Sequence, residues 1–149
     1  MTGPGSFPIE GKPSGQALVE FALVLPIFLI VLFGLIDVAR YVYLNNAFNE
    51  AAREAARYGS VEQWRYACPK AVSSPSRLAC TAQVARERIA GAPATFSVKA
   101  TCSTAACRAN DVLTVHVFTN PGSFRFLTPI IGQLIPGPDI DGQSQVLVQ

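Results

Sequence analysis

Few residues of this 149-residue chain are placed to do chemistry. His116 is the one histidine, and it falls in the middle of DVLTVHVFT on the same side as Val112, Thr114 and Phe118. A Ser-His-Asp relay or a histidine-based metal site needs partners that converge on that ring, and none can be assembled from the spacing. The reading adopted for His116 is a half-exposed strand residue. There is no Gly-rich phosphate loop, and Asp139 with Asp141 in GPDIDG reads as turn chemistry. The pattern calls for no cofactor, no metal and no small-molecule substrate, and the chain reads as a non-enzyme. Its net charge of +2 is too small to point to nucleic acid.

Cysteines are the second reactive group. Cys68, Cys80, Cys102 and Cys107 make an even number within one small region, as expected where thiols are oxidised. Three pairings are possible. The sequential one, Cys68 with Cys80 and Cys102 with Cys107, is favoured because both bridges would close short local loops. A four-thiolate zinc site, for which the intervals lack any CxxC knuckle, and free buried thiols are the alternatives.

The third is Glu20, in the stretch SGQALVEFALVLP. It stands in an otherwise uncharged run, Ala17 to Ile36, and a charge in the middle of hydrocarbon costs ~2.5–3.5 kcal/mol. If the chain were cut between Gly15 and Gln16, the new amino terminus would open a helix. Glu20 would then lie one turn in, beside the positive helix end and near the membrane surface. There it either snorkels and complements the dipole, or it meets the free α-ammonium group of a neighbouring chain's Gln16. The second reading is favoured, because two charges that are costly alone become a pair when subunits pack. One acid on one span makes a poor proton path.

The elements that must position these groups follow from hydropathy. Half of the residues are hydrophobic and 15% are charged, an excess concentrated in Ala17–Ile36. Twenty helical residues rise ~30 Å, the thickness of the hydrocarbon layer, so this run reads as one membrane span. A cleaved signal peptide fits less well. The leader MTGPGSFPIEGKPSG holds one Lys and one Glu, the apolar run is longer than such a core, and the DVARYVYLNNAFNEAAREAARYG that follows carries no clean A-x-A site before a loop. Lys12 before the span is matched by Arg40 after it, so the positive-inside rule does not decide orientation. The cysteines do, and put the large part outside the cytoplasm with the leader inside.

Beyond the span, Leu44, Phe48, Ala51, Ala55 and Tyr58 recur at intervals of four, three, four and three on one helical face. Asn46, Asn49, Glu50, Arg53, Glu54 and Arg57 lie opposite, with Glu50–Arg53 and Glu54–Arg57 as i, i+3 pairs. With no Gly or Pro from Asp37 to Tyr58, span and stem form one continuous helix, which Gly59 is expected to end as a left-handed cap. Pro26 lies inside the span and removes one backbone hydrogen bond; it is either a kink satisfied by packing or a point where the helix bends or melts on leaving the bilayer.

Residues 60–76 read as a loop, and Ser76 as the cap of a second helix running to about Ala90 and stopped by Gly91. Strands are expected at 94–102, 111–119 and in QSQVLVQ, residues 143–149. In NPGSFRFLTPIIGQLIPGPDIDG, Thr128–Pro129 suggests a short helix with Leu127, Ile130, Ile131 and Leu134 on one side. It serves either as a flap over the core or as a contact for a partner. The fold class is α+β: a long amino-terminal helix packed on a small three-stranded antiparallel sheet, with a second short helix.

Gly15 followed by QALVEF, with Glu20 fifth and Phe21 sixth after the glycine, resembles the processing site of class III prepilins. In particular it is similar to that of TadE-like pseudopilins of the tight-adherence (Tad, or Flp pilus) system. GQALVEFALVLPIFLIVLFGLIDVARYVYLNNAFNEAAREAARYG looks like the whole TadE-like segment; beyond residue 60 the resemblance is one of layout. It implies a cytoplasmic leader (1–15), a transmembrane and stem helix (16–59) and an extracytoplasmic α+β domain (60–149). It also implies cleavage after Gly15 by a membrane aspartyl prepilin peptidase, with possible methylation of Gln16. The implied partners are that peptidase, other pilin and pseudopilin subunits, the Tad inner-membrane assembly platform and membrane lipid. The implied place is the bacterial cytoplasmic membrane and then an extracellular pilus used for surface attachment. Major subunits of such pili are little more than the helix, so the extra domain favours a minor-pilin role. An uncleaved single-span protein whose outer domain binds a ligand or surface is the alternative.

Overall fold

The computed structural model describes residues 14–62, 64–90, 95–120, 124–127 and 137–149. Its first element, α1, is a single helix over Ser14–Ser60, 47 residues, about 70 Å long at the α-helical rise. From Ala17 to Ile36 no residue of it is buried. From Asp37 onward one side disappears into a domain, with Leu44, Phe48, Ala51, Ala52, Ala55 and Ala56 almost fully buried. That stripe is wider than the sequence periodicity predicts. It takes in Ala52 and Ala56, because α1 is gripped on two sides, by the sheet and by the helix α3 (Arg77–Arg88). Tyr58, expected on the buried face, is only half-buried; its hydroxyl donates to the Ala67 carbonyl at 2.9 Å.

The opposite face also departs from expectation in one place. Glu50 pairs with Arg53 at 3.7 Å, but Glu54 reaches across to Arg88 of α3 rather than along its own helix to Arg57. Ser76 caps α3, its Oγ accepting from the Ala79 amide at 3.2 Å. Residues 64–67, read as loop, form one short helical turn, α2 (Trp64–Ala67). Gly91 and the Thr128–Pro129 helix expected from sequence lie outside the described residues.

Gly59 does not end α1 as a left-handed cap. The helix runs through it to Ser60, and Gly59 has no left-handed backbone. What it supplies is room: a Cβ there would fall 2.3 Å from Thr81 Oγ1 and 2.5 Å from Leu113 Cδ2. The last carbonyls of α1 are satisfied by distant groups instead. The buried Arg77 donates from Nη1 to Gly59 O at 2.7 Å, and the Gln149 amide donates to Ser60 O at 2.8 Å. A cation at the negative end of a helix is favourable in its own right.

The sheet is antiparallel in the order β1 (Phe96–Cys102), β2 (Val112–Thr119), β3 (Asp141–Leu147). Lys99 faces His116 across the first pair and Gln143 faces His116 across the second. Along β2, Leu113, Val115, Val117 and Thr119 are buried against the helices, while Thr114, His116 and Phe118 share the outer, half-exposed face. β3 starts two residues earlier than its hydropathy indicates, because Asp141 and Gly142 pair with Phe118 and Val117. Asp141 is therefore a strand residue rather than part of a turn, and its Oδ1 lies 2.6 Å from His116 Nε2.

Two disulfides are present: Cys68–Cys80, with Cα atoms 5.3 Å apart, and Cys102–Cys107, with Cα atoms 5.4 Å apart. The first fastens the loop after α1 to α3; the second spans the β1–β2 connection. In that connection the Asp111 carboxylate accepts from Thr104 Oγ1, from the Arg108 amide at 2.7 Å and from Ser103 Oγ at 3.2 Å. The Thr104 hydrogen bond, then the Arg108 amide, lower the Asp111 pKa. A lowered folded-state pKa means that the loop's added stability is present above the ordinary aspartate range and is lost as pH falls through the lowered value. Carboxyl carbon-13 titration of Asp111 should give a lower midpoint in the folded chain than in urea, and Thr104→Val should move it upward. Equal folded and unfolded midpoints would refute the hydrogen-bonded anion.

Candidate functional site on the amino-terminal helix

The residues singled out at the start of α1 lie in its first four turns. Gly15 is open on all sides, with nothing within 4 Å of where a Cβ would stand. One turn later the side chains of Gln16 and Glu20 meet, Gln16 Nε2 donating to Glu20 Oε1 at 3.2 Å. This i, i+4 contact uses the ordinary adjacency of a helix surface. Phe21 beside it is exposed, and the helix continues unbroken through Pro26. Pro26 has no N–H to give the Ala22 carbonyl, so that carbonyl must look elsewhere for a partner.

The run that follows is apolar on every face. Its richest 18-residue window has a mean hydropathy of 2.8, and none of it is buried by the rest of the chain. Among the described residues this is the one helix long and apolar enough to cross a membrane. A helix that is hydrophobic all round demands an apolar surrounding, lipid or other protein, since water leaves each such side chain uncompensated by about 1.5–3 kcal/mol.

At the upper end of this run stands a group that sequence reasoning passed over. Asp37 is 2% exposed, and both of its carboxylate oxygens accept from the Leu127 amide, at 2.9 and 3.1 Å. Arg40, one turn along, places Nη1 3.5 Å from the same carboxylate and also donates to the Arg125 carbonyl at 3.4 Å. Its guanidinium lies over the Phe124 ring, 5.7 Å from the centroid, and Phe124 meets Tyr41 and Phe126 edge-on. The segment 124–127 is thus pinned to the helix where the bare part ends. The Asp-x-x-Arg spacing was visible in the sequence as an i, i+3 pair, but the Leu127 partner, 90 residues away, was not.

The structure keeps the cysteines well apart from Gly15, Gln16 and Glu20. Cys68–Cys80 fastens the residues that receive the Tyr58 hydroxyl and cap the last turn of α1, at the far end of the helix. Two open clefts flank that end. One, between α1 and α3, is lined by Glu50, Arg57, Glu87 and Arg88; the other is lined by Trp64, Arg77 and Arg108. His116 has one carboxylate beside it, Asp141, on the exposed face of the sheet.

Comparison with curated proteins and with solved structures finds no match. A family model does match, and it covers the region just described: residues 15–57, from the open glycine to the last turns of the stem, fit the family described as TadE-like protein. This chain therefore carries, as its amino-terminal helix, a TadE-like segment.

Proposed function

We propose that the chain is a minor pilin or pseudopilin of a Tad (Flp-type) pilus, cut after Gly15 by a prepilin peptidase and then incorporated into the pilus or used to prime it. The TadE-like match supports a pilin-like, pilus-associated role, and the uncovered apolar helix supports a membrane anchor. The observation that carries the finer reading is the exposed Gln16–Glu20 contact at the foot of that helix. Cleavage before Gln16 creates an α-ammonium group one turn from Glu20. In a packed array of helices, each Glu20 then has a cation within reach on its neighbour, and the cost of holding the acid in lipid falls. The open Gly15 lets a protease groove approach the backbone closely.

In this reading residues 1–15 are the cytoplasmic leader, 16–59 the span and stem, and 60–149 the domain outside. The two disulfides favour that orientation, since they form in oxidising compartments. Partners are the peptidase, other pilin and pseudopilin subunits, the Tad assembly platform and lipid.

Intact-mass measurement of the protein extracted from its own membrane tests the first step. A mature chain beginning at Gln16 is the expected result, whereas an intact leader in cells that express the peptidase would support an uncleaved, membrane-anchored binding module. For the second step, Glu20→Ala is expected to be cut normally yet to be recovered in sheared pili about tenfold less, the equivalent of one lost ion pair of ~1.4 kcal/mol. Undiminished incorporation would rule out the pairing.

A further inference from the structure

Asp37 fixes a height on the helix. It is the first residue of α1 that the domain buries, and it directly follows the apolar run that ends at Ile36. Because both Asp37 oxygens hold the Leu127 amide, the backbone at 124–127 is held level with the end of that run. The contact is reinforced from behind: Gly137 lies against Phe124 so closely that a Cβ there would fall 2.1 Å from the Phe124 carbonyl oxygen.

What this corner turns outward is neither purely polar nor purely apolar. The Leu127 side chain is 53% exposed, Phe126 is half-buried and Arg125 is exposed. On α1, Arg40 lies beside the corner, donating to the Arg125 carbonyl. Aromatic and aliphatic side chains together with guanidiniums, at the depth where hydrocarbon gives way to headgroups, are the composition that an interface favours. The ring or alkyl part sits in the acyl boundary and the cation faces phosphate.

We propose that the Arg125–Leu127 corner rests on the phospholipid bilayer as a second point of attachment, Leu127 and Phe126 entering the headgroup boundary and Arg125 facing lipid phosphates. The proposal deepens the functional reading above and rests on its premise that Ala17–Ile36 crosses the membrane. Two features commit the surface to lipid rather than to another protein. It is continuous with the uncovered span, and the Asp37 contact places it where the bilayer ends. The corner thereby limits how far the domain can tilt about the top of its anchor while the subunit is stored in the membrane.

The test uses the full-length chain in phosphatidylcholine vesicles containing lipid brominated near the top of the acyl chain. Single tryptophans are introduced as Leu127→Trp, Leu32→Trp in the span and Leu147→Trp on the exposed side of β3, each with Trp64→Phe. The same three are also made with Trp64 retained and read as difference spectra, in case the replacement of Trp64 disturbs folding. Quenching at position 127 should be about threefold stronger than at position 147, as for a side chain about 5–10 Å into the headgroup and acyl boundary. Quenching at 32 with none at 127 beyond the level at 147 overturns this proposal and leaves the span intact. Absence of quenching at 32 overturns the span, and the proposal with it.

Discussion

Phe48→Ala is expected to destabilise the domain by about 3–5 kcal/mol, enough to take a large part of the ~5–15 kcal/mol that holds a domain of this kind folded. Phe48 is fully buried, packs against the Phe96 ring at 6.0 Å and lies beneath the β3 backbone at Gly142. It is the largest of the fully buried side chains, and most of its buried neighbours on α1 are alanines, which cannot swell to fill the space. The loss therefore combines transfer and cavity terms. Guanidinium unfolding of the detergent-solubilised chain, followed through its one tryptophan, Trp64, should show the midpoint fall with the slope unchanged. A change below about 1 kcal/mol would mean that the sheet collapses onto the helix without strain.

The second large effect is expected from the opposite change, adding atoms. At Gly142 a Cβ would stand 2.6 Å from the carbonyl carbon of Phe48 and 2.7 Å from the Asn49 amide nitrogen. Both are backbone atoms of an intact helix, so no side chain can swing aside. Gly142→Val must push β3 off α1, opening gaps around Ile140 and Val148, which are buried on either side of it. We expect a loss at the upper end of the overpacking range, about 3 kcal/mol. Gly34→Ala serves as the control: nothing lies within 4 Å of a Cβ at Gly34, and domain stability should not change. A Gly142→Val chain as stable as the control would show that strand and helix are less tightly apposed than described.

The stem of the long helix, the capped second helix and all three strands could be read from the sequence because burial on one side sets their periodicities, and the first half of the long helix from its unbroken apolar run. Errors arose where a residue's role depends on something distant in the chain. Gly59 looks like a helix stop because glycine usually has that use, but its need here is set by Thr81 and Leu113. The polar residues opening β3 carry no hydropathy signal; only their pairing with Val117 and Phe118 makes them strand. Glu54 was expected to pair with Arg57 on its own helix, but Arg88 of α3 takes that place. Asp37 was given no role, because its Leu127 partner lies 90 residues away. The TadE-like segment that begins at Gly15 was legible because it is contiguous; what surrounds Asp37 was not, because it joins α1 to residues some 90 positions further along the chain.

The way α1 is held has a mechanical consequence. From Leu44 to Ser60 the helix is clasped by β3, β2 and α3 along some four and a half turns, and its final carbonyls are tied to Arg77 and to the Gln149 amide. Tension applied at the foot of α1 runs parallel to these contacts, so the core is loaded in shear and many side chains resist together instead of peeling away one by one. A fibre component built in this manner would withstand an axial pull far better than a sideways one.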